Sequence, residues 1–145
     1  MAAAIVAAVV MTWDQIFPTP PEKLVTVYRV HRCGCVTQWV RALKDEGFTV
    51  RLFELNNLHT MRKTLRTPAN MQGCHVATYL SYFVEGHVPA SMLRQLASER
   101  PSATGVATQA DLSNRAYRVN VITAYNYLLV GKDGVQRPWG NTPTP

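Results

Sequence analysis

Tyr28-Arg29-Val30-His31-Arg32-Cys33-Gly34-Cys35-Val36-Thr37-Gln38-Trp39-Val40 is the stretch on which the fold turns. Upstream of it, Leu24 to Val30 is rich in β-branched and aromatic residues and reads as a buried strand. From Val36 the apolar positions fall at Val36, Trp39, Val40 and Leu43, the spacing of an amphipathic helix. Two cysteines one residue apart therefore sit at a strand-to-helix junction. Gly47 stops the helix. Phe48, Val50 and Leu52 then alternate, so Phe48 to Leu55 is the next strand. Asn56 or Asn57 can cap a second helix with Leu58, Met61 and Leu65 on one face, and Pro68 ends it.

The next segment changes character. Cys74 to Leu80 and Tyr82 to Val88 read as two strands with Ser81 near the turn, and so short a connection requires an antiparallel pair. Pro89 suits the first position of a third helix, whose apolar face is Met92, Leu93 and Leu96, and Pro101 closes it. A right-handed β-α-β start followed by α-β-β-α gives an α/β fold of the thioredoxin-like kind, a mixed central sheet with flanking helices. Ser102 to Asn120 is polar and without period and reads as a long loop. Tyr125 to Val130 is a strand, Lys132-Asp133-Gly134 a turn, and Val135 to Trp139 its return, so a C-terminal β-hairpin completes the sheet.

The 145 residues are enough for one domain with a core of its own, and an apolar fraction of 47% against 17% charged excludes a disordered chain. The net charge of +6 is spread from Lys23 to Arg137, dense only at Arg62-Lys63-Arg66. Without a stripe of interleaved aromatics this reads as a solvated basic surface, and no nucleic-acid partner is expected. Residues 1–21 form an apolar segment and a stiff linker, Phe17-Pro18-Thr19-Pro20-Pro21; residues 22–140 form the domain; 141–145 are a tail. Ala2 to Met11 is too short to span a bilayer as a helix. It reads equally as the remnant of a signal peptide or anchor, or as a short helix of the mature chain. A membrane enters only if this segment is an anchor.

Three cysteines cannot all pair internally. A thiol at a helix N-terminus loses its proton more readily than a free one, so Cys33 and Cys35 are expected as thiolates, with Gly34 letting the backbone fold so that both sulfurs face one point. Soft thiolates favour Cu(I) and Zn(II). In a thioredoxin-like layout the loop Met71-Gln72-Gly73-Cys74-His75 lies opposite that helix N-terminus and brings Cys74 to the pair. The candidate metal ligands are thus Cys33, Cys35, Cys74 and His75, with His87 and Met71 behind them, and spacing does not separate copper from zinc. His75 is either a ligand or the support of one. His87 more naturally ties a strand-to-helix junction, His31 flanks the cysteine loop, and His59 is solvated. Met61, Met92 and Trp39 belong to the core. The bland alternative for all three thiols is inert burial.

Cys33-Gly34-Cys35, Trp39-Val40, Gly47-Phe48-Thr49-Val50, Cys74-His75, the run Tyr82-Phe83-Val84-Glu85-Gly86-His87-Val88-Pro89-Ala90, Arg100-Pro101 and Gly105-Val106-Ala107 together resemble the CopG-like copper-resistance proteins, a bacterial family of small exported metal-binding proteins. The resemblance covers about Leu24 to Gly105, with a weaker echo in Tyr125 to Arg137. It implies a thioredoxin-like fold, a periplasmic or otherwise exported location, and copper binding through a C-x-C-C motif and the later Cys-His. Carried over, Cys33, Cys35 and Cys74 fall on ligand positions. Val36 stands where the family has the last cysteine of C-x-C-C. Thr108 to Asn120 lacks the proline and methionine that members carry after the third helix. A single Cu(I) on two or three thiolates is the conservative expectation, rather than a cluster.

Three functions follow. The first is Cu(I) binding in metal tolerance or homeostasis, by sequestration or by transfer to or from a partner protein. The second is an enzyme, a thiol-disulfide oxidoreductase; Val36 occupies the resolving position of the usual C-x-x-C, so Cys35 or Cys74 would have to resolve. The third is a degenerate scaffold without metal. The binding protein stands ahead of the enzyme.

Overall fold

A computed structural model describes residues 18–108 and 127–140. The apolar N-terminal run, most of the stretch after Thr108 and the tail lie outside the described residues.

The chain begins with a short 3-10 turn, Pro21–Lys23, and enters β1, Leu24–Val30. Helix α1 is Val36–Asp45, β2 is Thr49–Leu55 and α2 is His59–Leu65. Strands β3, His75–Tyr79, and β4, Tyr82–Glu85, follow, then α3, Ala90–Glu99. Strands β5, Ala103–Thr108, β6, Tyr127–Gly131, and β7, Gln136–Trp139, complete the described elements. The seven strands form one mixed sheet in the order β2-β1-β3-β4-β5-β6-β7.

The first half has the expected topology. β1 and β2 run parallel, from Leu24 beside Thr49 to Val30 beside Leu55. β3 is antiparallel to β1, with Tyr28 opposite Val76, and β4 is antiparallel to β3. Crossing from β1 to β2 through α1 places the C-terminal end of β1 and the start of α1 at one rim of the sheet. The antiparallel return brings the start of β3 to the same rim.

Alternation sorts the core into two layers. Val25 and Val27 of β1, Ala77 and Tyr79 of β3, Val84 of β4 and Val106 of β5 face Trp39 and Leu43 of α1 and Leu93 and Leu96 of α3. The opposite sheet face carries a smaller cluster of Met71, Phe83, Ala107 and Val130, with Leu65 of α2 packed against it. Helix α2 buries no residue fully, so it covers that face lightly.

The structure corrects the reading of Ser102 to Asn120 as one long loop. Ala103–Thr108 is an inner strand, parallel to β4 and antiparallel to β6. Its local propensity is weak because Ala, Gly and Thr carry little apolar area. What holds it is pairing on both sides, together with Gly105, whose missing side chain leaves room for the Phe83 ring. The C-terminal hairpin is present: β6 pairs antiparallel with β7, and the turn closes through Gly131 N–H to Val135 O at 2.9 Å with Gly134 at φ 78°. Pro89 caps α3 from outside as an extended residue instead of starting it.

Candidate metal centre

At the rim where β1 ends, Cys33 N–H donates to Val30 O at 3.3 Å and Thr37 N–H to Gly34 O at 3.3 Å. The unusual backbone of this turn is at Arg32, with φ 64°, and not at Gly34. A side chain added at Gly34 would meet nothing within 4 Å. The conformational freedom expected of Gly34 is thus not what folds the loop. Arg32 itself is exposed. Val30 N–H also donates to Cys74 O at 3.0 Å, which ties the second loop to the end of β1.

These bonds bring the two cysteine stretches together. Cys33 and Cys74 are joined as a disulfide, with Cα atoms 5.6 Å apart across 41 positions of sequence. Cys35 is the remaining free thiol, and it is exposed. Its Sγ lies 3.3 Å from Cys74 Sγ and 3.6 Å from Cys33 Sγ. His75 closes the group: its Nδ1 stands 3.6 Å from Cys33 Sγ, 3.7 Å from Cys35 Sγ and 3.8 Å from Cys74 Sγ. The four donor atoms all lie within 4.8 Å of one another.

The electrostatics depart from the simple helix-terminus expectation. Burial pushes the Cys35 thiol up, and contacts with the backbone N–H groups of Cys35 and Val36 only partly oppose this. Cys35 caps α1 with helical backbone angles and makes no side-chain cap bond. His75 is pushed down to about 4, by burial first and then by His87, with Arg62 adding to this and the Gly86 backbone acting the other way. It is therefore a neutral imidazole at neutral pH, the form that binds metals.

Behind the sulfurs lies an aromatic wall. The His75 ring stacks on His87 at 5.0 Å and 13°, and Trp39 stands 5.5 Å from His75 and 6.0 Å from His87. Trp39 is fixed by its Nε1–H donating to Val88 O at 2.8 Å. His87 thus backs His75 and is outside the four-donor group. Met71 is buried in the second cluster with Phe83 and Val130 and is likewise outside it. His31 pairs with Glu54, and His59 is exposed. Met92 is core, as expected. Val36 is fully buried in the main cluster, so that position supplies packing and no donor.

Sequence reasoning missed two residues. Glu85 at the end of β4 is only 6% exposed, and its Oε1 accepts from Arg62 Nη2 at 2.6 Å and from Gly73 N–H at 3.2 Å. Arg62 Nη2 also donates to His75 O at 3.2 Å. The pair clamps the loop that carries Cys74 and His75. The available signal was a carboxylate ending an apolar run, Tyr82-Phe83-Val84-Glu85, since a buried acid needs a partner.

Comparison with known proteins finds likenesses of sequence and of fold. The family described as "Protein of unknown function, DUF411" matches residues 71–110, which include Cys74, His75 and the Glu85 to Ala90 run. Two solved structures of "Copper resistance protein copG" share the fold. Form 1 is 26% identical with a TM-score of 0.66, covering 79% of this chain and 93% of that one. Form 2 is 27% identical with a TM-score of 0.68, covering 79% and 94%. No curated protein matches. The chain is thus similar to the CopG structures in fold over most of its length, and to the DUF411 model over the segment that carries Cys74, His75 and Glu85.

Proposed function

We propose that the chain, with its cysteines reduced, binds a single Cu(I) ion through the thiolates of Cys33, Cys35 and Cys74 and the Nδ1 of His75. It would serve copper tolerance or homeostasis by sequestration or by transfer to a partner protein in an exported, periplasmic setting. One observation carries this: His75 Nδ1 stands at 3.6, 3.7 and 3.8 Å from the three sulfurs. Ligand atoms about 2.3 Å (sulfur) and about 2.0 Å (nitrogen) from a tetrahedral metal are separated by about 3.5–3.8 Å. The donor set therefore has the spacing of a coordination sphere, apart from the Cys33–Cys74 bond, which must be reduced to free two of the sulfurs.

The soft donors suit Cu(I) or zinc, and the copper-resistance relatives favour copper. The neutral His75 needs no deprotonation to bind, while Cys35 must lose a proton that burial holds on, so metal uptake releases protons. The buried Val36 leaves no further thiol at the junction, which favours one ion over a cluster.

The test is Cu(I) binding to reduced Cys33→Ser, Cys35→Ser and His75→Ala variants under anaerobic conditions. Both cysteine variants are expected to lose tight binding, and His75→Ala to weaken it while retaining sulfur coordination. Unchanged affinity in Cys33→Ser and Cys35→Ser contradicts the assignment.

A further inference from the structure

We propose that Cys35 is an exchange thiol for the Cys33–Cys74 disulfide, giving the chain a thiol–disulfide exchange activity toward dithiols. The activity converts the centre from its bonded form to the three-thiol form. That the three-thiol form is the metal-competent one rests on the copper reading above; the exchange itself does not.

The Cys33 side of the disulfide is closed to solvent. Cys33 is 3% exposed and packed in the main core cluster, and Cys74 is half-buried within the loop that Arg62 and Glu85 hold through its neighbours His75 and Gly73. Cys35 is exposed, and its Sγ touches both bonded sulfurs, nearer to Cys74 at 3.3 Å than to Cys33 at 3.6 Å. A thiol held at van der Waals distance from a disulfide exchanges with it as an intramolecular step. The usual C-x-x-C resolving position holds the buried Val36, so this geometry assigns that part to Cys35.

The sequence of bonds follows. Cys35 Sγ, as thiolate, attacks Cys74 Sγ; the Cys35–Cys74 bond forms and the Cys33–Cys74 bond breaks. The electron pair leaves on Cys33 Sγ, which takes up the proton that Cys35 gave up. No electrons are gained or lost, but the disulfide now ends on an exposed sulfur. One thiolate of an external dithiol attacks Cys35 Sγ, forming a mixed disulfide and releasing Cys74. The second thiol of the same molecule attacks its own mixed-disulfide sulfur and frees Cys35. The dithiol is oxidised to its disulfide and the protein gains two electrons and two protons. Run in reverse, the same steps oxidise the centre.

The experiment uses metal-free oxidised protein, kept with chelator, so its outcome is independent of whether copper binds. Dithiothreitol reduces the wild type and Cys35→Ser, with acid quench, alkylation and peptide mass mapping at intervals. A parallel reaction with reduced glutathione traps mixed disulfides at early times. The exposed position of Cys35 makes the serine variant compatible with the fold. We expect Cys35→Ser to slow opening of the Cys33–Cys74 bond about tenfold or more, and the first glutathione adduct of the wild type to lie on Cys35. Equal rates in the two proteins, or a first adduct on Cys33 or Cys74, overturn the assignment. Failure of copper binding with these results intact would reject the metal reading alone.

Discussion

The Arg62 guanidinium lies 2.6 Å from the Glu85 carboxylate, directly behind the loop that carries Cys74 and His75. Each partner also holds that loop by its backbone, Arg62 through His75 O and Glu85 through Gly73 N–H. An ion pair 23 residues apart in sequence thus positions two of the four donor atoms without touching any of them.

Breaking this pair on one side leaves a buried charge without its partner. Burial already pushes the Glu85 carboxyl up, and Arg62 is the main opposing influence. Arg62→Met is therefore expected to destabilise the fold by about 3 kcal/mol. In the reduced protein it should also weaken Cu(I) binding about tenfold, because the loop is no longer held in register. Urea denaturation and a competitive copper titration check the two effects separately. Unchanged values in both would remove the clamp from the account.

The two loop glycines should respond in opposite ways. A Cβ at Gly73 would stand 2.9 Å from Glu85 Oε1, whereas one at Gly34 meets nothing within 4 Å. Gly73→Ala is expected to cost about 1–3 kcal/mol by forcing the clamp apart. Gly34→Ala should fall within about 0.5 kcal/mol of wild type. Thermal melts of the two oxidised variants compare them directly, and equal losses would contradict the placement of the loops.

His75 links stability to acid. Its ring is held down to about 4 in the fold against 6.5 for an ordinary histidine, chiefly by burial. Between these values the unfolded chain binds a proton that the folded chain does not, so stability falls as the pH is lowered from about 6.5 to about 4 and is fully present above that window. The contribution is on the order of 3 kcal/mol. Glu85, pushed up by burial, acts in the opposite sense as the pH rises through its own range. The His75 part is isolated as the difference between wild type and His75→Asn, measured by denaturant unfolding of the metal-free disulfide form from pH 4 to pH 7. Parallel pH profiles for the two proteins would show that His75 is not held neutral by burial.

Where local pattern and tertiary requirement agree, the chain could be read directly. Val36, Trp39 and Leu43 mark the face of α1 that packs on the sheet, and Leu24 to Val30 forms β1 over the residues its composition indicated. From that start the fold, and with it the meeting of Cys33 and Cys35 with Cys74 and His75, followed from topology. β5 did not, because Ala103 to Thr108 is a strand by virtue of its neighbours β4 and β6 rather than its own side chains. The pairing of Cys33 with Cys74 was equally hidden, since three cysteines allow three pairings and only the approach of two loops selects one. Arg62 looked like part of a solvated basic patch, and only the fold turns it inward to Glu85.

The most direct measurement is an anaerobic Cu(I) titration of the fully reduced chain against a competing chelator, with Zn(II) and the disulfide form run in parallel. We expect tight uptake of a single Cu(I) per chain that displaces zinc, and no tight uptake while Cys33 and Cys74 remain bonded. Absence of copper uptake by a reduced chain whose three thiols all titrate would contradict the metal centre.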